Sequence, residues 1–167
     1  IYLAYASGLI RQINLSADEL AEVPFAALPQ NPLGLAAAGK YVFAADPSGA
    51  WVSHYTFAID GTRIAAKDWN YYSSEYIWSE VNQKMYFFRD DTSPNDLHYE
   101  VINADGSFGA GGDSPLHDSG GFVHPIRVAP NGSVVVLGSG AIHDAASLSR
   151  LPQSLGGWLT DIAWLGT

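Results

Sequence analysis

Strongly apolar segments begin at Tyr41, Met85 and Val134, 44 and 49 residues apart, and each sits in the same order of neighbours. A weaker apolar segment and a polar turn precede it. A Gly/Asp/Ser/Pro turn, an alternating segment, a second turn and a weaker last segment follow it. In the first full copy these are Pro32–Ala38, the turn Gly39-Lys40, Tyr41–Ala45, the turn Asp46–Gly49, Trp51–Ile59, the hairpin signal Asp60-Gly61, and Arg63–Trp69. The second copy runs from Tyr76–Val81 through Met85–Phe88 and Leu97–Ile102 to a Gly-rich stretch, 107–121, whose last strand is poorly defined. The third uses Pro125–Ala129, Val134–Leu137, Ala141–Asp144 and Ser147–Leu151. β-Propeller repeats of the WD40 type span about 40–45 residues and kelch repeats about 50, whereas leucine-rich and ankyrin repeats are shorter. The spacing therefore predicts an all-β, β-propeller-like fold with about four blades of four antiparallel strands.

The two ends complement each other. Ile1–Tyr5, Leu9–Leu15 and Leu20–Leu28 read as strands two to four of a blade, and Asp161–Leu165 reads as its missing first strand. The expectation is three complete blades plus one split between the termini, either closing on itself or forming part of a larger ring with further blades or a second copy of the chain. Residues 1–167 form a single domain or partial propeller. Ser16–Glu22 resembles a helix capping box, but Pro24 halts a helix there, and a turn is expected.

Composition narrows the function. A formal net charge of −9, with only eight Lys and Arg, excludes phosphate-tracking nucleic-acid binding, which needs a basic face. It also disfavours anionic membrane surfaces. No apolar run approaches the roughly 20 residues that span a bilayer. With no cysteine, disulfides, thiolate metal sites and Cys nucleophiles drop out. Ile1 opens into a strand-like segment without a basic start or a cleavage site, from which we expect a piece of a longer chain.

Pro125–Leu137, with its core Val-Ala-Pro-Asn-Gly-Ser-Val-Val-Val, resembles the V-x-P-D-G-x-x-V-x-V core of YVTN/WD40-like bacterial β-propeller repeats, with Asn131 in place of the usual Asp. Phe88–Tyr99 resembles propeller modules of large bacterial surface or secreted multidomain proteins. The Trp-Asp strand end, the kelch double Gly and the Asp-box order are all absent. The resemblance implies a propeller with an extracellular or cell-surface binding or scaffolding role, and it implies no catalytic residues.

Candidate site residues lie in three connecting segments, because loops carry function in repeat folds while strands are committed to packing. Tyr71 and Tyr72 fall in the 69–74 connection. The acidic loop 89–96 holds Asp90, Asp91, Asn95 and Asp96, oxygen donors suited to Ca²⁺, although EF-hand spacing is missing and a solvated loop is the alternative. His117, Asp118, His124 and Arg127 are expected to gather near one channel mouth. His54 and His98 occupy matching places on third strands, where half-buried strand residues are expected. No nucleophile elbow, phosphate loop or marked carboxylate pair is present. The chain reads as a non-enzymatic module that presents loops for protein or glycan contact. The alternatives are a glycan-active hydrolase or lyase using His and Asp at the channel mouth, and a structural spacer of a larger surface protein.

Overall fold

A computed structural model describes residues 1–90, 95–117 and 121–165. Among them there are strands and turns and no helix, and so no helix long and apolar enough to cross a membrane. Four antiparallel sheets follow one another along the chain. The first contains β1 (Tyr2–Ala4), β2 (Leu9–Ile13) and β3 (Glu22–Ala27). The second contains β4 (Gly34–Ala38), β5 (Tyr41–Asp46), β6 (Val52–Phe57) and β7 (Arg63–Trp69). The third contains β8 (Ser73–Ser79), β9 (Lys84–Arg89), β10 (Asp96–Ile102) and β11 (Phe108–Asp113). The fourth contains β12 (Ile126–Val128), β13 (Val134–Leu137), β14 (Ala141–Asp144) and β15 (Arg150–Ser154). Each sheet is a meander, its strands paired in chain order. Residues 15–19 turn without forming a helix, as Pro24 predicts.

The core explains why the middle strands read as unbroken apolar runs. Successive side chains of a strand point to opposite faces. Val42 and Ala44 pack toward the first sheet with Ile10, Leu28 and Phe57. Phe43 and Ala45 pack toward the third with Met85, Phe87 and Ile102. Tyr86 and Phe88 then turn to the fourth sheet and meet Val135 and Leu137. A strand buried on both faces leaves no room for polar alternation. The first strands β4, β8 and β12 form an inner edge, with β8 against both of the others. This arrangement is consistent with a propeller-like one.

Local turns follow the sequence signals. At Asp60-Gly61 the Gly61 N–H donates to the Ala58 carbonyl at 2.9 Å, and the Asp60 carboxylate accepts the Thr62 N–H at 2.9 Å. The geometry recurs at Asp105-Gly106-Ser107 and Asn131-Gly132-Ser133. Gly61 has φ +86°, and a Cβ there would lie 2.0 Å from the Phe25 carbonyl oxygen, so only glycine fits.

Three expectations are corrected. Among the described residues, 161–165 form no strand and β1 pairs only with β2, so the first sheet has three strands and no split blade. The Asp161 carboxylate is held by Arg127 of β12 at 2.7 Å and accepts its neighbour Ile162's N–H at 2.8 Å, which removes a ladder donor from that segment. The Gly-rich stretch does contain a strand, β11, paired along β10. His54 and His98 are not equivalent, because the ladders align Asp46↔Ser53 with Arg89↔Asp96, so that His54 corresponds to Leu97 and His98 stands one position further along its strand. Ala45 faces His54 across the ladder, while Phe87 faces His98. That single position turns His54 toward the third sheet and His98 toward the second, so both enter the same seam.

Candidate functional site

The seam between the second and third sheets is lined by aromatic rings and contains a polar chain. At its closed part, Glu100 of β10 is 1% exposed, and its carboxylate accepts the His54 Nδ1–H at 2.7 Å and the Lys67 ammonium. His54 Nε2 lies 3.1 Å from the Tyr76 hydroxyl, which is hydrogen-bonded in turn to Ser73. A β-bulge between Ser74 and Ile77 brings Tyr76 there, with Glu75 in the left-handed region at φ +58°. Burial pushes the Tyr76 phenol well above its ordinary range. Burial also pushes the Glu100 carboxyl up, but the hydrogen bond and charge of His54, joined by Lys67, outweigh it and leave the group below its usual value. The order Glu100–His54–Ser73 is that of a carboxylate–imidazole–hydroxyl relay. Ser73 Oγ, however, is 3.5 Å from the imidazole, buried and tied to Tyr76, so it presents no nucleophile to solvent.

Toward the loop end the seam opens. Trp69 of β7 stacks on His54 at 6.0 Å and meets His98 edge-on at 5.2 Å. Its Nε1–H is buried without a hydrogen-bond acceptor among the described residues. Beyond it lies a second polar group. Asp96, 1% exposed, has Oδ2 at 2.8 Å from His117 Nδ1 and 3.6 Å from His98 Nε2. Asp113 stands opposite His98 across the ladder.

Burial raises the Asp96 carboxyl to about 6, in spite of the His117 hydrogen bond that lowers it. Its unfolded value is about 3.9. A carboxyl raised on folding loses the chain stability as pH climbs from about 4 to about 6, because the folded state holds the proton longer. Asp96→Asn should therefore match the parent at pH 3.5 and exceed it by about 3 kcal/mol at pH 7. Urea unfolding at the two pH values in metal-free buffer reads this, and an equal effect at both contradicts it.

The remaining candidates are distributed along the loop end. Tyr71 lies under the Arg89 guanidinium at 3.5 Å and against Trp69 at 5.5 Å. Tyr72 is 48% exposed and meets Trp51, 49% exposed, at a ring separation of 5.1 Å. Asp90 is hydrogen-bonded to Ser74, and its N–H donates to the Tyr72 carbonyl at 2.9 Å. The turn bearing Trp51 is pinned by buried Asp46, which accepts the Ser48 N–H at 3.2 Å and the Gln30 N–H at 2.8 Å. Asp91 and Asp118 lie outside the described residues.

His117, His124 and Arg127 each take a separate partner. His117 joins Asp96 on the third strand of its sheet. His124 pairs with Glu75 at 3.2 Å, and Arg127 with Asp161, both at the inner edge. Of the acidic loop's residues, Asp90 is tied to Ser74 while Asp96 turns to the imidazoles. Sequence reasoning missed Asp113, His98 and Trp51 as members. The Asp96-x-His98 alternation was a usable signal, but the glycines of β11 hid Asp113.

At the opposite end, a cleft of about 280 Å³ is lined by Tyr41, Trp78, Glu80, Gln83 and Asn103 among others. Its polar groups already pair with one another: Trp78 Nε1–H donates to Glu80 at 2.7 Å, and the Tyr41 hydroxyl to the Ala104 carbonyl at 2.8 Å. It lies away from the His and Asp groups, and its internal pairing leaves little to orient a ligand. No family model and none of the curated proteins matches the chain.

Proposed function

We propose that the chain is a non-enzymatic binding module, its four sheets acting as consecutive propeller-like blades that present the loop end of the second and third to a neutral glycan. The observation that carries this reading is the pair Trp51–Tyr72. Two half-exposed rings from different connections sit in contact on turns fixed by the buried Asp46 and by Asp90. Large exposed rings cost solvation and are held where one face meets a partner. A pyranose can lay its C–H face on such a shelf, while Asp90, whose N–H is bonded to the Tyr72 carbonyl, supplies a nearby acceptor. A net charge of −9 disfavours sulfated or phosphorylated ligands.

The test is a screen of neutral and anionic glycans and of proteins, followed by titration of any hit against Trp51→Ala and Tyr72→Ala. Each substitution should reduce binding at least about tenfold while changing stability by no more than about 0.5 kcal/mol, as is usual for surface sites. A hit that both variants bind like the parent contradicts the shelf. A hit that is a protein transfers the face to protein contact.

The hydrolytic reading is favoured by one observation, the Asp96–His117 pair at 2.8 Å with a raised carboxyl. Turnover of any bound glycan that is lost in Asp96→Asn would support that reading over simple binding.

A further inference from the structure

We propose that Asp96, His98, Asp113 and His117 bind one divalent transition-metal ion of the zinc type. This goes beyond the glycan shelf and does not depend on it. The four residues converge for reasons visible in the backbone. Asp96 and His98, two apart on β10, share one face of the strand. Asp113 faces His98 across the ladder and so joins the same face. After β11 the chain folds back. The Ser114 N–H donates to the Leu97 carbonyl at 2.9 Å, and the Leu116 N–H to Ser114 Oγ at 3.1 Å, which sets His117 over Asp96.

The donor atoms are already close. One each from Asp96, His98 and Asp113 lie within 4.8 Å of one another. Asp96 Oδ2 faces His117 Nδ1 at 2.8 Å and His98 Nε2 at 3.6 Å. Donors around a tetrahedral ion at about 2.0–2.1 Å stand about 3.3 Å apart, so Asp96, His98 and Asp113 need only small side-chain movements to close on an ion, and His117 joins them through its contact with Asp96.

The supporting contacts fit the same role. Asp96 Oδ1 is occupied by the Leu97 N–H at 2.8 Å, which turns Oδ2 toward the imidazoles. The His98 ring is stacked on Phe87 at 5.9 Å and 16° and braced by Trp69. Ligands held by such outer contacts do not have to be ordered by the ion. Exposed His117 and Asp113 leave an entry side. Two imidazoles with two carboxylates suit Zn²⁺ and its first-row neighbours. Ca²⁺ and Mg²⁺ prefer oxygen donors alone.

The experiment is calorimetric titration of the chelator-stripped chain with Zn²⁺ at pH 7.5, paralleled by Co²⁺ titration followed by visible absorption. The expected result is one ion per chain, bound with tetrahedral-type Co²⁺ absorption. Loss of outer-shell partners alone typically weakens metal sites by about 10–100-fold, so His117→Ala and Asp113→Asn should each weaken Zn²⁺ at least about tenfold. Both residues are exposed, and circular dichroism should confirm an unchanged fold. His124→Ala, at the inner edge, should bind like the parent. Lowering the pH to 5.5 should weaken binding as the ligands protonate. No binding by the parent at about 100 μM Zn²⁺, where a site of about micromolar affinity is almost filled, overturns the proposal. So does binding that neither variant alters, or binding that His124→Ala removes.

Discussion

Replacing Glu100 with alanine should destabilise the chain by about 3–5 kcal/mol, the range for removing one partner of a buried ion pair. Glu100 belongs to the third sheet, whereas His54 and Lys67 belong to the second, so the carboxylate clamps two sheets that share no backbone ladder. Its loss leaves the His54 Nδ1–H buried without an acceptor, and that desolvated donor is the larger part of the cost. Lys67 behaves differently. Its side chain is 37% exposed and can turn to water, so Lys67→Ala should cost about 1 kcal/mol or less. Glu100→Gln keeps an acceptor for His54 and should fall between the two. The Glu100 carboxyl is lowered on folding, so its contribution is present above the unfolded carboxyl value and is lost as pH falls below it. Urea midpoints at an unchanged slope give the comparison. Equal losses for Glu100→Ala and Lys67→Ala contradict the buried clamp.

Phe87→Ala should cost a similar amount, about 3–5 kcal/mol, the usual figure for deleting a buried aromatic ring. Phe87 is fully buried, and its ring meets Trp69 at 5.4 Å, Tyr76 at 5.5 Å, His54 at 5.2 Å and His98 at 5.9 Å. The cavity would open at the centre of the seam, where rigid rings cannot collapse to fill it. Because His98 rests on this ring, the substitution should also weaken Zn²⁺ binding when measured below the variant's melting range. Phe87→Leu refills most of the volume and should recover much of the stability but little of the ring stacking. A loss for Phe87→Ala as small as that for Trp51→Ala contradicts the packing.

The middle strands were legible because burial on both faces forces an unbroken apolar run, as at Tyr41–Ala45 and Val134–Leu137. The Asp-Gly and Asn-Gly turns were legible because a positive φ narrows the choice of residue. β11 was not, since Phe108-Gly-Ala-Gly-Gly-Asp113 has almost no side chains to carry a period, and its pairing with β10 is set by backbone hydrogen bonds. The start of β8 was read three residues late because the bulge at Glu75 breaks alternation there. His54 and His98 looked equivalent at the spacing of the apolar segments, but the ladders match Ser53 with Asp96 and so His54 with Leu97, and that one residue reverses a side chain's face. Register is a property of the paired strands and cannot be read from either alone. The same limit applies to the Asp96–His117 pair. Both residues stood out as polar groups in irregular segments, but 21 residues separate them, and only the return of the chain after β11 joins them. The terminal segment Asp161–Leu165 had a strand-like pattern, but its first residue is held by Arg127 and no ladder forms there.

Two ends of the sheets compete as the ligand-binding face. One carries Trp51, Tyr72 and the open seam, and the other carries the internally paired cleft around Trp78 and Glu80. Hydrogen–deuterium exchange of the chain, free and saturated with a glycan recovered from the screen, separates them directly. The account predicts slowed exchange in residues 46–52 and 70–74, with residues 39–41, 80–83 and 103–107 unchanged. Protection confined to the second group, with none at Trp51 or Tyr72, would contradict it.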